Sequence, residues 1–327
     1  MRNVFNSIMS RLGHKPTVAL PNLDLQLMVT LWPSFTHFAR FADDKRLAGI
    51  RLNSAMMTQA DLDKELPLAK ATVPLFFDIK GRQMRVAEVL DNGGHHLDIR
   101  LNHPIRVKTP TEVLFKAGAD WAVLHHLEED GKRLVFQGGP QYNVLPGESL
   151  HIRHPSLEVT GSIFTDLERT KIETVKKAGF KRWFLSYVEK QSDVDEFREL
   201  VGHNDEIWLK IESKKGLEYV ATKFVKKPDL TLVTARGDLY VELERPHEIL
   251  QAVKLIIEKD REACLGSRLL LSVISDPVPS CADWHELAWL YDIGYRRLML
   301  CDELCLRGEL LSTAVNAFSA FKSAYTG

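Results

Sequence analysis

Eight short runs of β-branched and other apolar residues recur along the chain from residue 25, with stretches of helical spacing between them. They are LQLMVTL (25–31), AGIRL (48–52), VPLFFDI (73–79), RWFLSYV (182–188), EIWLKIE (206–212), LTLVTA (230–235), RLLLSVI (268–274) and RRLML (296–300). Runs this continuously apolar are buried on both faces, which calls for a parallel sheet covered by helices. Helical segments follow the strands, among them SDVDEFRELVG with Ser192 as its cap, PHEILQAVKLIIEKDREA opening on Pro246, and ELLSTAVNAFSAFKSAY at the end. Alternation of this length predicts an α/β protein, a (β/α)8 TIM barrel.

The rhythm breaks after the third strand. Residues 85 to 160 carry turn signals (GGHH, QGGP, EEDGK, LPGES) between the short runs DIRL, AVLHHL, RLVF and SLHIR, the pattern of a small β-rich insertion domain after strand 3. The expected organisation is a tail over 1–22, the barrel over 23–84 and 161–327, and a β lid domain over 85–160. The insertion leaves from the C-terminal end of a strand, where barrel sites form, so it is expected to cap the mouth. What remains of the 327 residues is close to the roughly 250 of a single barrel.

Composition narrows the partners. With 43 basic and 44 acidic side chains, the chain has no overall cationic field for a nucleic-acid backbone, and nucleic acid is not expected. No run approaches the roughly 20 apolar residues of a membrane span, and the first 22 residues lack the apolar core of a signal peptide, so no membrane association is expected. Cys264, Cys281, Cys301 and Cys305 form no CxxC pair, the usage of reduced thiols in a cytoplasmic protein. A homo-oligomer is left open. His95 with His96, and His125 with His126, are neighbours that on a strand point to opposite faces, which makes them poor two-ligand metal sites and suits a surface role.

Chemistry concentrates in LKIESKKGLEYV (209–220) and TARGDLYVELE (234–244). Lys210 and Glu212 are two apart on a strand and leave by the same face near its C-terminal end. Asp238 follows after the length of one helix and a return strand, which brings it to the neighbouring strand's mouth. Two carboxylates there, with positions open to water and substrate oxygens, suit magnesium or manganese. A structural Lys210–Glu212 ion pair is the competing reading. Gly237, just past a strand, opens a turn whose amides can face a carboxylate or phosphate.

On these and further motifs, in the same order, the chain resembles the pyruvate kinase family. MVTLWPS (28–34) looks like that family's first strand and TIGP turn, GIRLNSA (49–55) its ARLNFSHG, and FFDIKGRQMR (76–85) its LDTKGPEIR. KIESKKG looks like its KIENxEG, TARGDL its VARGDLG, and LMLCDELCLRGE (298–309) its IMLSGETAKGxYP. The resemblance implies a metal-dependent enzyme acting on phosphoenolpyruvate or the enolate of pyruvate, with phosphoryl transfer to or from a nucleotide, and the departures from the family's pattern point to a specialised pathway. It implies that Glu212 and Asp238 bind Mg2+ or Mn2+ and that Lys210 offsets charge on the phosphoryl group and the enolate. Arg51 would clamp the phosphate as an always-charged fork. The turn amides of Arg236, Gly237 and Asp238 would take the substrate carboxylate, and Asn53 and Asp78 match two ligands of a monovalent cation.

The departures carry expectations too. Ala55 and Ile79 stand at the other two cation positions, which argues against a family-style potassium site. The family's ATQM segment is matched by LSVISD, leaving Ser272 or Ser275 to offer a hydroxyl, and SGET reads CDEL, keeping Glu303. The chain stops after the eighth helix, so no counterpart of the family's C-terminal regulatory domain is expected. A metal-dependent pyruvate lyase or aldolase on the same barrel, with Arg51 serving the enolate, and a noncatalytic binding relative are the alternatives.

Overall fold

The computed structural model describes residues 24–92 and 96–325; the tail over 1–22 and His95 lie outside the described residues. The chain opens with β1 (Gln26–Thr30), β2 (Leu47–Asn53) and β3 (Leu75–Ile79). The insertion follows, with β4 (Val86–Asp91), β5 (Asp98–Leu101), β6 (Ile105–Arg106), β7 (Thr111–Phe115), β8 (Asp120–Glu128), β9 (Arg133–Gln137) and β10 (Glu158–Val159). The chain then returns to β11 (Arg182–Leu185), β12 (Glu206–Ile211), β13 (Leu230–Ala235), β14 (Cys264–Gly266) and β15 (Arg297–Met299). β1, β2, β3 and β11 to β15 pair in parallel and close in the order β1-β15-β14-β13-β12-β11-β3-β2, the (β/α)8 barrel that the alternation predicts.

Period-two alternation sorts each strand into two layers. Leu27, Phe77, Trp183, Leu185, Ile207, Leu209, Leu232 and Leu298 face the helices and join one large core. Met28, Phe76, Phe184, Trp208, Val233, Cys264 and Met299 fill the barrel interior. Phe76, Phe184 and Trp208 pack there with ring centroids 4.8 to 5.5 Å apart, at about 0.5–1.5 kcal/mol per pair beyond the area buried. Gly49 makes room for them, because a Cβ on it would lie 2.6 Å from Met28 Cε and 2.9 Å from Phe76 Cε2. Two residues further along the inner face of β1, β2, β3, β11 and β12 the side chains become polar, and there the site begins.

Caps stop and start the helices as the short polar residues dictate. Thr165 and Ser280 each close a capping box, with Glu168 and Asp283, on helices Asp166–Lys177 and Cys281–Ile293. Ser192 is not a cap. Its helix begins at Gln191, and Asp193 accepts from the Glu189 and Lys190 amides instead.

The seventh strand differs from expectation. It is the three-residue Cys264–Gly266, and the apolar run over 268–274 is not extended. Ser267, Arg268 and Leu270 take left-handed φ values of 62°, 56° and 53°, so the chain leaves the barrel there, and Leu269, Leu270 and Val273 are buried in the outer core. Ser272 consequently lies away from the mouth, bonded to Asp283 and to the Ser280 amide, and Ser275 is exposed.

The insertion is a five-stranded antiparallel sheet, β4-β5-β9-β8-β7, with β6 and β10 paired beside it. It has its own apolar core, including Ile99, Phe115, Leu124, Leu134, Phe136 and Ile152. SLHIR forms isolated bridges rather than a strand. A register shift between Leu124 and His126 interrupts the side-chain alternation, so His125 and His126 meet, Nδ1 to Nδ1 at 3.0 Å, on the exposed face. No helix among the described residues is long and apolar enough to cross a membrane.

Candidate active site

The inner-face register that sets the apolar layer continues upward into charge. Beyond Met28 comes Thr30, beyond Gly49 come Arg51 and Asn53, beyond Phe76 Asp78, beyond Phe184 Ser186, and beyond Trp208 Lys210 and then Glu212. All but Asn53 are buried. Asp78 is the hub. Its Oδ2 lies 2.8 Å from Arg51 Nε, 2.6 Å from Arg51 Nη2, 2.8 Å from Lys80 Nζ and 3.4 Å from Lys210 Nζ, and its Oδ1 accepts from Ser186 at 3.2 Å. Burial works against its charge, but Lys210, Lys80 and Arg51 together hold it far below the usual carboxylate range.

Lys210 Nζ donates to Ser186 Oγ at 2.8 Å and sits 2.9 Å from Glu212 Oε1. Burial opposes its charge, yet Asp78 and Glu212 outweigh that and raise its pKa. Glu212 Oε2 accepts from the Tyr187 amide at 2.8 Å, whereas Oε1 is buried with no hydrogen-bond partner; Lys210 is near it in charge without the alignment of a hydrogen bond. Complete burial, with Asp238 adding its repulsion against the pull of Lys210, pushes the Glu212 carboxyl up to about 7. Asp238 stays below its ordinary value: burial raises it, but His151 and Lys210 pull it further down. Lys80 is pulled the other way, to about 7, by burial and by the like charges of Lys210 and Arg51 against the attraction of Asp78.

Glu212 and Asp238, near enough to act on each other's charge, therefore offer two hard oxygen donors, and Glu212 Oε1 has the Lys210 ammonium beside it but no aligned hydrogen-bond donor. That donor set fits a hard divalent cation. Among the described residues no three of His, Cys, Asp and Glu gather at metal-ligating spacing, so such an ion would complete its shell with water or substrate oxygens, as magnesium does.

The insertion packs against this pair. His151 Nδ1 lies 2.8 Å from Glu242 Oε1 and 3.2 Å from Tyr187 OH, and its Nε2 is 3.5 Å from Asp238 Oδ1. Arg153 donates to the Val241 carbonyl. The short helix Arg236–Glu242, which carries Asp238, is thus gripped by the insertion. Arg236 is spent on Glu286 and the Ser267 carbonyl, and the Gly237 amide donates to Ser267 Oγ at 3.2 Å.

Sequence reasoning passed over several of these residues. Ser267, not Ser272 or Ser275, is the hydroxyl beside the Gly237 turn. Asp302, not Glu303, reaches inward, 3.1 Å from Arg51 Nη1 and 3.0 Å from Asn53 Nδ2, while Glu303 is exposed. Lys80 and Arg85 stand in the quoted FFDIKGRQMR segment and add charge at the mouth; burial lowers Arg85 against the attraction of Asp238 and Asp78. His151 carried no sequence signal, because its neighbours come from a distant helix.

Fold and site together define a (β/α)8 barrel with a β-rich insertion after its third strand and a carboxylate–lysine cluster at its C-terminal mouth. The chain belongs to the pyruvate kinase family, whose model described as "Pyruvate kinase, barrel domain" matches residues 142–305. It is 26% identical over 295 residues to a pyruvate kinase of Methanocaldococcus jannaschii, covering 85% of this chain and 64% of that one. It is 27% identical over 282 residues to a pyruvate kinase of Thermoplasma acidophilum, covering 80% and 50%. The chain thus spans between half and just under two-thirds of the length of these curated relatives.

Proposed function

We propose that this protein is a pyruvate-kinase-like, Mg2+-dependent (or Mn2+-dependent) enzyme of the cytoplasm that acts on phosphoenolpyruvate or pyruvate enolate, transferring a phosphoryl group to or from a nucleotide in a specialised pathway. The observation that carries this reading is the pairing of Glu212 and Asp238 beneath the lid, with Glu212 Oε1 buried and without a hydrogen-bond partner. A divalent cation on that pair would supply positive charge to substrate oxygens. Lys210 keeps a charged ammonium, oriented by Ser186, where negative charge develops on the phosphoryl and enolate oxygens. Arg51 would hold the phosphate, and the amides around Arg236, Gly237 and Asp238 the carboxylate, the Gly237 amide exchanging its bond to Ser267 Oγ for it. Asn53 and Asp78 do not fit a shared potassium ion well, because the Asp78 carboxylate is already ringed by three cationic side chains. The segment 85–160 would act as the lid that excludes water.

The test is ATP formation by purified protein from ADP and phosphoenolpyruvate with Mg2+. Lys210→Met should abolish it while Mg2+-dependent binding of oxalate, an analogue of pyruvate enolate, persists. Absence of turnover with every common nucleoside diphosphate would sink the kinase reading. One observation favours the lyase or aldolase alternative: Arg51 is already neutralised by Asp78 and Asp302. That reading requires solvent exchange of pyruvate C3 protons without nucleotide.

A further inference from the structure

The guanidinium that would clamp phosphate is held in this protein by one of its own half-exposed carboxylates. Asp302 begins the helix Asp302–Cys305 just past β15. Its Oδ2 lies 3.1 Å from Arg51 Nη1, and its Oδ1 accepts from Asn53 Nδ2 at 3.0 Å. Thr30 Oγ1 is 3.3 Å from the same Nη1, and Asp78 takes Nε and Nη2 at 2.8 and 2.6 Å. Every nitrogen of the Arg51 fork is therefore engaged before any ligand arrives.

The two carboxylates on Arg51 are not equivalent. Asp78 is fully buried and shared with Lys80 and Lys210, so it cannot leave without stranding three cations. The Asp302 side chain is 49% exposed, and among the described residues Arg51 is its one cationic contact within ion-pair distance. It is the carboxylate of the two that can turn outward toward water, because Arg51 would keep its two-point pairing with Asp78.

We infer that Asp302 is a specificity-determining residue that competes with phosphate for Arg51. A phosphate-bearing ligand gains the Nη1 edge only by displacing Asp302; if Asp302 stays, its charge faces the phosphate's at close range and repels it. A phosphate-free keto or enol acid held at the Glu212–Asp238 end of the mouth needs no such exchange. Asp302 thus biases the site against phosphorylated ligands relative to unphosphorylated ones. The inference rests on the proposed orientation, with the phosphate toward Arg51.

The experiment is calorimetric binding of phosphoenolpyruvate, inorganic phosphate and oxalate, each with Mg2+, to the full chain and to its Asp302→Asn and Asp302→Ser variants. Asparagine keeps the size and the contact with Asn53 and removes the charge; serine is a second route should asparagine perturb folding. Affinity for phosphoenolpyruvate and for phosphate should rise about tenfold or more while oxalate affinity stays within about a factor of two, a tenfold gain being ~1.4 kcal/mol. Unchanged or weaker binding of both phosphate-bearing ligands by the variants would overturn the inference. If oxalate binds none of the proteins, the enolate reading of the site fails instead. Inorganic phosphate, which needs only Arg51, then decides the role of Asp302 alone: a gain supports it and no gain refutes it.

Discussion

Glu212→Gln should remove a pH dependence of stability that the metal-free protein owes to one buried carboxyl. Raising that carboxyl from its ordinary 4.5 to about 7 corresponds to about 3 kcal/mol between its two protonation states. The folded-state value lies above the unfolded one, so the stabilising contribution is complete below about pH 4.5 and is lost as pH rises through 7. Glutamine stays neutral throughout and has no such descent. For a chain of 327 residues, ~3 kcal/mol corresponds to a Tm difference of about 4 °C. Thermal melts of both proteins with a chelator present, from pH 5 to pH 8, should therefore diverge by about that amount, the natural protein falling faster. His151, whose pKa burial lowers but Glu242, Asp238 and Glu212 raise further, contributes a descent of the same sign that is shallower in the variant, which has lost the Glu212 charge, and so adds to the divergence. Mg2+ at pH 8 should restore the natural protein and leave the variant unmoved. Parallel pH curves, whatever their constant offset, would refute the reading that burial and Asp238 outweigh Lys210 at the Glu212 carboxyl.

The remaining predictions probe the lid, the corrected strand and the grip on Asp238. Gly131 has φ 91° and a Cβ there would lie 1.9 Å from the Ile105 carbonyl oxygen, so Gly131→Ala should cost ~2–4 kcal/mol. Because the lid has its own core, the loss should appear as faster hydrogen exchange over 86–159 with the barrel still protected; unchanged exchange there would contradict the packing. Ser272→Ala should cost the ~1 kcal/mol of a capping contact in stability without altering Mg2+–oxalate affinity, and Ser267→Ala should lower that affinity. Affinity falling for Ser272→Ala alone would restore the sequence-based placement of the seventh strand. His151→Asn breaks a buried contact to Glu242 worth ~1.5–3 kcal/mol. It should speed exchange over 236–242, and protection identical to the natural protein would show that the lid does not hold that helix.

Residues whose role follows from strand register were legible, and residues whose role follows from how a chain leaves a strand were not. Lys210 and Glu212 share a face because they are two apart on β12, and the same parity places Arg51, Asp78 and Ser186 above Gly49, Phe76 and Phe184. Sequence spacing carries all of that. The seventh strand defeats the same logic. Only three residues long, it is less apolar to the eye than the LLLSVI run behind it, which earns its burial against helices rather than neighbouring strands. The turn between them depends on left-handed backbone at Ser267, Arg268 and Leu270, none of them glycine, so no residue type announces it. Asp302 was hidden for a related reason. Motif matching credits Glu303, but the chain turns into a helix at Asp302, and that turn decides which of two adjacent carboxylates faces Arg51. A one-residue error in reading a strand's exit exchanges an inward carboxylate for an exposed one, and here that exchange decides whether the arginine is free for phosphate.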